Sequence, residues 1–169
     1  VGNATHGVNE ITDITLDNAG NIYLTGAVQN TNSYDIAVYK LDDELNILWE
    51  VHYDAYGEDD KGNGIKVDGQ GNVYIAGTIS TQNEGKNFVL LKYNSSGILQ
   101  WEREFNGREN GNDEAAQLTL HNDYIYITGL AKNSLHYSFQ TLVYKTNGDL
   151  YTQAEYTNVN ENEKPTGIT

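Results

Sequence analysis

Apolar and polar positions alternate along most of the chain in runs of about five to eight residues, the period of a half-buried strand. The segment Gly20-Asn21-Ile22-Tyr23-Leu24-Thr25-Gly26 shows the type, with strand-favouring residues between turn-forming ones. Runs rich in Ile, Val, Leu and Tyr, bounded by Gly, Asn, Asp and Ser, predict short strands joined by tight turns. Nowhere is a 3.6-residue period sustained over a dozen positions, and Gly and Asn interrupt the chain too often for helices. The expectation is an all-β chain. Asp17-Asn18-Ala19-Gly20-Asn21, repeated as Asp68-Gly69-Gln70-Gly71-Asn72, suits a hairpin loop, because Gly accepts positive φ and Asx side chains cap turn backbone. His121-Asn122-Asp123 is a shortened version, and the single proline, Pro165, leaves the ladder donors intact.

The pattern is one unit written three times and begun a fourth. Gly20–Gly26 returns as Gly71-Asn72-Val73-Tyr74-Ile75-Ala76-Gly77 and as Asp123-Tyr124-Ile125-Tyr126-Ile127-Thr128-Gly129, so the period is about 50 residues. A second block follows each copy: Asp35-Ile36-Ala37-Val38-Tyr39-Lys40, Asn87-Phe88-Val89-Leu90-Leu91-Lys92 and Gln140-Thr141-Leu142-Val143-Tyr144-Lys145. A third block carries Trp49, Trp101 and, in the last copy, Thr152. Ahead of each turn lies a further short run, at Ile14-Thr15-Leu16-Asp17, Ile65-Lys66-Val67-Asp68 and Leu118-Thr119-Leu120.

Four antiparallel strands per period match one blade of a β-propeller, a twisted sheet packed face to face on the next. One blade cannot bury both faces alone, so its apolar residues need neighbouring blades. Residues 11–56, 62–107 and 114–157 read as three blades, and 158–169 as the start of a further one. Residues 1–10 align with the loop at 52–61, as do 156–164, and Pro165-Thr166-Gly167-Ile168-Thr169 opens a new innermost strand. Closed rings have roughly four to eight blades. The expectation is therefore 1–169 as part of a larger six- to eight-bladed propeller within a longer polypeptide, or closure of the open edges by self-association. Trp49 and Trp101 are expected to fill space between adjacent blades, with looser packing at Thr152.

The motif Gly-Asn-Ile-Tyr-Leu-Thr-Gly at 20–26, Asp-Ile-Ala-Val-Tyr-Lys at 35–40, and the run Lys92-Tyr93-Asn94 through Gly97 to Trp101 resemble the bacterial β-propeller repeats known as SBBP repeats. The resemblance covers essentially the whole chain. It implies a seven-bladed or similar propeller in an exported or surface protein, often as one module of a large chain. It carries no shared catalytic residues.

Charge narrows the partners. With 24 acidic and 10 basic side chains the net charge is −14, and no Lys/Arg cluster suits a nucleic acid or an anionic membrane surface. No apolar run approaches the roughly 20 residues that span a bilayer, and no basic-then-apolar leader precedes Val1. The absence of Met places the start codon elsewhere, and any export signal would lie outside these residues. The absence of Cys rules out disulfide staples and thiolate zinc sites without assigning a compartment.

The most suggestive chemistry is an acidic loop that recurs between the outermost strand of one blade and the innermost of the next. It comprises Glu58, Asp59 and Asp60, then Glu109, Asp113 and Glu114, then Glu161 and Glu163. On one face of a propeller these carboxylates would form an arc of negative potential, and two readings stand: a solvated rim, or oxygen ligands for a hard cation such as calcium. No loop has the Asp-x-Asp-x-Asp-Gly spacing of a calcium hand. The turns at Asp17 and Asp68 also offer oxygens, which turn capping accounts for. His6, His52, His121 and His136 lack metal-type spacing, and no serine sits in a Gly-x-Ser-x-Gly elbow. Thirteen tyrosines suit either blade packing or a sugar or peptide groove. Asn3-Ala4-Thr5 and Asn94-Ser95-Ser96 are formal glycosylation sequons.

The functional expectation is a non-catalytic module of an exported or cell-surface bacterial protein, a scaffold or a protein- or glycan-binding surface, with no cofactor. Two alternatives remain: a propeller enzyme with its site over the channel (a quinone-dependent dehydrogenase, a lyase or a glycoside hydrolase), and a calcium-stabilised adhesin. Arg103 and Arg108 are the only arginines, a poor supply for an anionic cofactor or substrate.

Overall fold

The structure, a computed structural model, describes residues 9–83, 85–132 and 136–156. They form three four-stranded antiparallel sheets in which each strand pairs with its neighbours in sequence. Sheet one holds β1 (Glu10–Leu16), β2 (Ile22–Gln29), β3 (Tyr34–Leu41) and β4 (Ile47–Tyr53). Sheet two holds β5 (Lys61–Val67), β6 (Val73–Ser80), β7 (Lys86–Tyr93) and β8 (Leu99–Phe105). Sheet three holds β9 (Glu114–His121), β10 (Tyr124–Lys132), β11 (Tyr137–Lys145) and β12 (Leu150–Tyr156). Among the described residues the helical content is a single 3-10 turn, Arg108–Asn110, and no helix is long and apolar enough to cross a membrane. The all-β expectation and the threefold unit hold at this level.

Side-chain chemistry closes the hairpins. Asp17 Oδ1 accepts the amides of Ala19 and Asn21, while its Oδ2 accepts Asn21 Nδ2 at 2.7 Å and the Tyr23 hydroxyl at 3.0 Å. Asp68 repeats this set with Gln70, Asn72 and Tyr74. A carboxylate that satisfies several turn donors fixes the turn and the next strand together. In the β3–β4, β7–β8 and β11–β12 turns the left-handed residue is Leu45, Gly97 and Gly148, with φ of 66, 77 and 92°.

The sheets stack face to face, and each gap between them is an apolar core. Sheets one and two enclose Tyr23, Ile36 and Val38 against Ile65, Ile75 and Leu91. Sheets two and three enclose Tyr74, Phe88 and Leu90 against Leu118, Ile127 and Leu142. Full burial of each such aliphatic side chain contributes about 1.5–3 kcal/mol. β5 lies against β1 and β2 on one side and against β9 on the other. β5 can be gripped from both sides because it carries Gly62 and Gly64: a Cβ on Gly62 would stand 2.1 Å from Thr25 Oγ1, and one on Gly64 would stand 3.2 Å from the Leu118 nitrogen. β1 and β5 also shift register by one residue, at Ile11/Asp13 and Gly62/Gly64, and a like irregularity lies between β9 and β10 at Thr128/Gly129.

Farther out, long side chains span the gap. Trp49 packs on the first core and stands over Gly97 of the next sheet, and its indole nitrogen donates to the Ser95 carbonyl at 3.1 Å. Trp101 packs on the second core and stands over Gly148. Each meets a tyrosine of its own sheet, Tyr23 at 6.1 Å and Tyr74 at 6.2 Å between centroids. Lys40 and Lys92, on the strand between tyrosine and tryptophan, lie over those tyrosines, each 5.2 Å from the ring centre.

One detail of the repeat differs from the sequence reading. Lys145 does not occupy the place of Lys40 and Lys92; Val143 does, because Val143 pairs with Tyr126 as Lys40 pairs with Tyr23 and Lys92 with Tyr74. Ser138 stands where Asp35 and Asn87 stand, and all three are buried. The short β9–β10 turn lets the β10–β11 ladder run on to Lys145, so the Tyr-Lys pair of the third copy matches in residue type but lies two positions farther along.

Candidate functional site

The acidic loop precedes the first strand of a sheet, and its carboxylates are turned to the backbone. Asp60 is buried, with 1% of its surface exposed. Its amide donates to the Tyr34 carbonyl at 2.7 Å, its Oδ2 accepts the Ala55 amide at 2.8 Å, and its Oδ1 accepts the Ser80 amide at 3.0 Å. The neighbouring Asp59 accepts the Tyr34 amide at 3.0 Å, so the pair grips both polar groups of the residue that opens β3 in the preceding sheet.

The next loop repeats the device. The Asp113 amide donates to the Lys86 carbonyl at 2.7 Å, its Oδ1 accepts the Lys132 amide at 3.0 Å, and its Oδ2 accepts the Gly107 amide. Asn112 takes the part of Asp59 and accepts the Lys86 amide at 3.2 Å. Before β1, Asn9 Oδ1 accepts the Gln29 amide at 3.3 Å, the counterpart of the Ser80 and Lys132 contacts. Buried backbone donors without a partner are costly, so these residues act as latches between sheets.

Burial pushes the Asp60 carboxyl up to about 6, with the nearby Asp54 and Asp35 carboxylates adding to the rise and the Ala55 and Ser80 amides opposing it. Burial also raises Asp113, against the pull of the Gly107 and Lys132 amides. The turn carboxylate Asp17 moves the other way: partial burial opposes ionisation, and hydrogen bonds from Asn21, Tyr23 and Ala19 outweigh it.

Glu58 is exposed, and Glu114 pairs with Lys86 at 3.5 Å. Glu109 falls in the 3-10 turn, and Glu161 and Glu163 lie outside the described residues. Among the described residues no three His, Asp or Glu side chains gather in a group that could hold a metal ion. A cation at Asp60 or Asp113 would compete for oxygens already engaged by backbone amides.

A cleft of about 390 Å³ lies beside the first latch and is lined by Glu10, Tyr34, Asp59, Asp60, Lys61, Thr78, Lys86 and Glu114, among others. Its charges alternate: Lys61 Nζ meets Glu10 at 2.8 Å, and Lys86 meets Glu114. Such a cleft suits a polar or zwitterionic ligand better than a simple cation or anion.

The other singled-out residues serve packing or turns. His52 is exposed beside the Tyr39 ring, and His121 and His136 are exposed. Arg103 lies 5.3 Å from the Trp101 ring and donates to the Gly148 carbonyl at 2.7 Å, and Arg108 pairs with Glu155 at 3.5 Å. Asn94, the sequon asparagine, closes its turn by accepting the amides of Ser96 and Ile98. His6 and Asn3 lie outside the described residues.

Two residues outside the acidic candidates link sheets, Asn112 and Asp13, while Asn9 ties the approach to β1 onto β2 of its own sheet. Asp13 Oδ2 accepts the Ile65 amide of the next sheet at 2.9 Å, and beside it Thr12 donates to the Gly62 carbonyl at 2.6 Å. An Asx residue recurring just ahead of each first strand is the signal that pointed to the latch.

No family model matches the chain, and no curated protein matches it.

Proposed function

We propose that the chain is a run of successive blades of a β-propeller of the SBBP type, and that it serves as a non-catalytic scaffold or protein- or glycan-binding module of an exported or cell-surface bacterial protein. The observation that carries this reading is the same inter-sheet latch at Asp60 and Asp113, joining one four-stranded sheet to the next with matching partners. Stacked repeats of this kind build a rigid frame whose connecting loops are free to vary. The polar residues most favourable for chemistry are occupied with structure: Asp60 and Asp113 with amides, Arg103 and Arg108 with the third sheet. Under this reading ligand contacts gather at the cleft beside Lys61 and Lys86 and on the neighbouring loops.

The test is titration of the labelled chain with a panel of oligosaccharides and peptides, followed by amide chemical shifts, alongside turnover assays for quinone reduction, polysaccharide cleavage and glycoside hydrolysis. Perturbations confined to that edge, without turnover, support the reading. Turnover that disappears in Lys61→Ala or Lys86→Ala would replace it with the enzyme reading.

A further inference from the structure

Among the described residues, both ends of the stack expose side chains whose counterparts are buried between sheets. Ile14 on β1 is 57% exposed, whereas Ile65 and Leu118, which take its place where another sheet precedes, are both 0% exposed. At the other end Tyr156 is 60% exposed, whereas its counterparts Tyr53 and Phe105 pack against the cores between sheets.

Two side-chain matches between facing sheets bear on the end faces. The first is ring against glycine: a Cβ on Gly97 would stand 3.0 Å from Trp49 Cδ2, and one on Gly148 would stand 3.2 Å from Trp101 Cδ2, with the Arg103 guanidinium nearer still at 2.7 Å. At the ends both members change. The left-handed turn position of sheet one is Leu45, and the tryptophan position of sheet three is Thr152, which pairs with Val143 as Trp49 pairs with Lys40. Within the chain, glycine holds the turn at both places where a ring faces it. The second match is hydroxyl against carboxylate: Tyr53 donates to Glu102 at 3.1 Å. In the next interface Phe105 has no hydroxyl, and the Glu102 position is Gln153. At the ends the donor and acceptor types return, as Tyr156 on sheet three and Glu50 on sheet one.

We propose that the open face of the third sheet docks head to tail on the open face of the first sheet of a second copy of this chain, with Thr152 against Leu45 and Tyr156 against Glu50. This rests on the reading of the sheets as successive blades. The described residues of two copies supply six sheets, within the roughly four to eight of closed rings, and two identical contacts close them with twofold symmetry. The occupant follows from continuity: the third sheet of a copy carries both features that the first sheet is shaped to receive.

The experiment is sedimentation of the full chain from low to high micromolar concentration, with Thr152→Trp, Leu45→Gly and the double variant. The expected result is a reversible dimer that Thr152→Trp weakens by about tenfold or more and that the double variant restores. Thr152 is exposed and its counterparts are tryptophan, so the single variant keeps its fold. A chain that stays monomeric throughout, an association indifferent to Thr152→Trp, or a failure of Leu45→Gly to rescue it overturns the docking. Gly62→Ala separates this from the underlying reading: it lies between sheets of one chain, so it lowers stability whether or not copies associate. A monomer with that loss overturns the docking alone, and Gly62→Ala at full stability overturns the stacked blades.

Discussion

At the residue scale, the aspartates of the acidic loop show how a charge can be spent on backbone. Asp60 satisfies the amides of Ala55 in the connecting loop and Ser80 on β6, so Asp60→Ala strands two donors beside a buried position, at a cost of about 2–4 kcal/mol in denaturant unfolding. Its pH dependence has a definite sign. The carboxyl titrates near 6 in the folded chain and near 3.8 unfolded, so the folded state holds more protons in between. Stability from this group is full below about pH 4 and falls as pH rises towards about pH 6, by at most about 3 kcal/mol. Asp60→Asn removes that slope, which denaturant midpoints across the window measure. Because the loop oxygens serve amides, adding chelator or calcium is expected to leave the melting temperature unchanged; a rise with calcium would return the cation reading.

At the element scale, the β-turns and first strands carry the specificity of the stack. Leu45 holds a left-handed backbone where the other two repeats place glycine, and the chirality penalty for an L side chain there is roughly 1–2 kcal/mol. Leu45→Gly is therefore expected to gain about 0.5–1 kcal/mol after the added chain entropy of glycine, read as a higher denaturant midpoint. Gly62→Ala has the opposite sign. Gly62 lies outside the left-handed region, and alanine is ordinarily the better strand residue, so a loss of about 2 kcal/mol or more reports the close approach of sheet one, of Thr25 above all and of Ile36 and Gly26 beside it.

Much of this level was legible in the sequence. Alternating runs such as Gly20–Gly26 and the Asp17 and Asp68 turns specify strands and hairpins through contacts within a few residues, and local pattern records those. The place of Val143 was hidden because a Tyr-Lys pair at 144–145 imitates the one at 39–40, and only ladder register separates them. The latch was half legible: the acidic residues stood out, but their partners Tyr34 and Lys86 belong to another sheet, and no local pattern reveals a distant backbone group.

At the scale of the whole molecule, stability comes from the gaps between sheets. Each sheet is amphipathic on neither side alone: sheet two gives one face to the core of Ile65, Ile75 and Leu91 and the other to that of Tyr74, Phe88 and Leu90. Unfolding one sheet strips a core from its neighbour, which is the physical basis of cooperativity in stacked repeats. The first and third sheets each have one such face without a partner among the described residues, and those faces carry the matched Leu45 and Thr152 positions.

The most direct measurement is a nuclear Overhauser spectrum of the labelled chain, read at the two indole rings. The account predicts cross-peaks from Trp49 to the α-protons of Gly97 and from Trp101 to those of Gly148. Indole cross-peaks confined to Tyr23 and Tyr74, within each ring's own sheet, would contradict it.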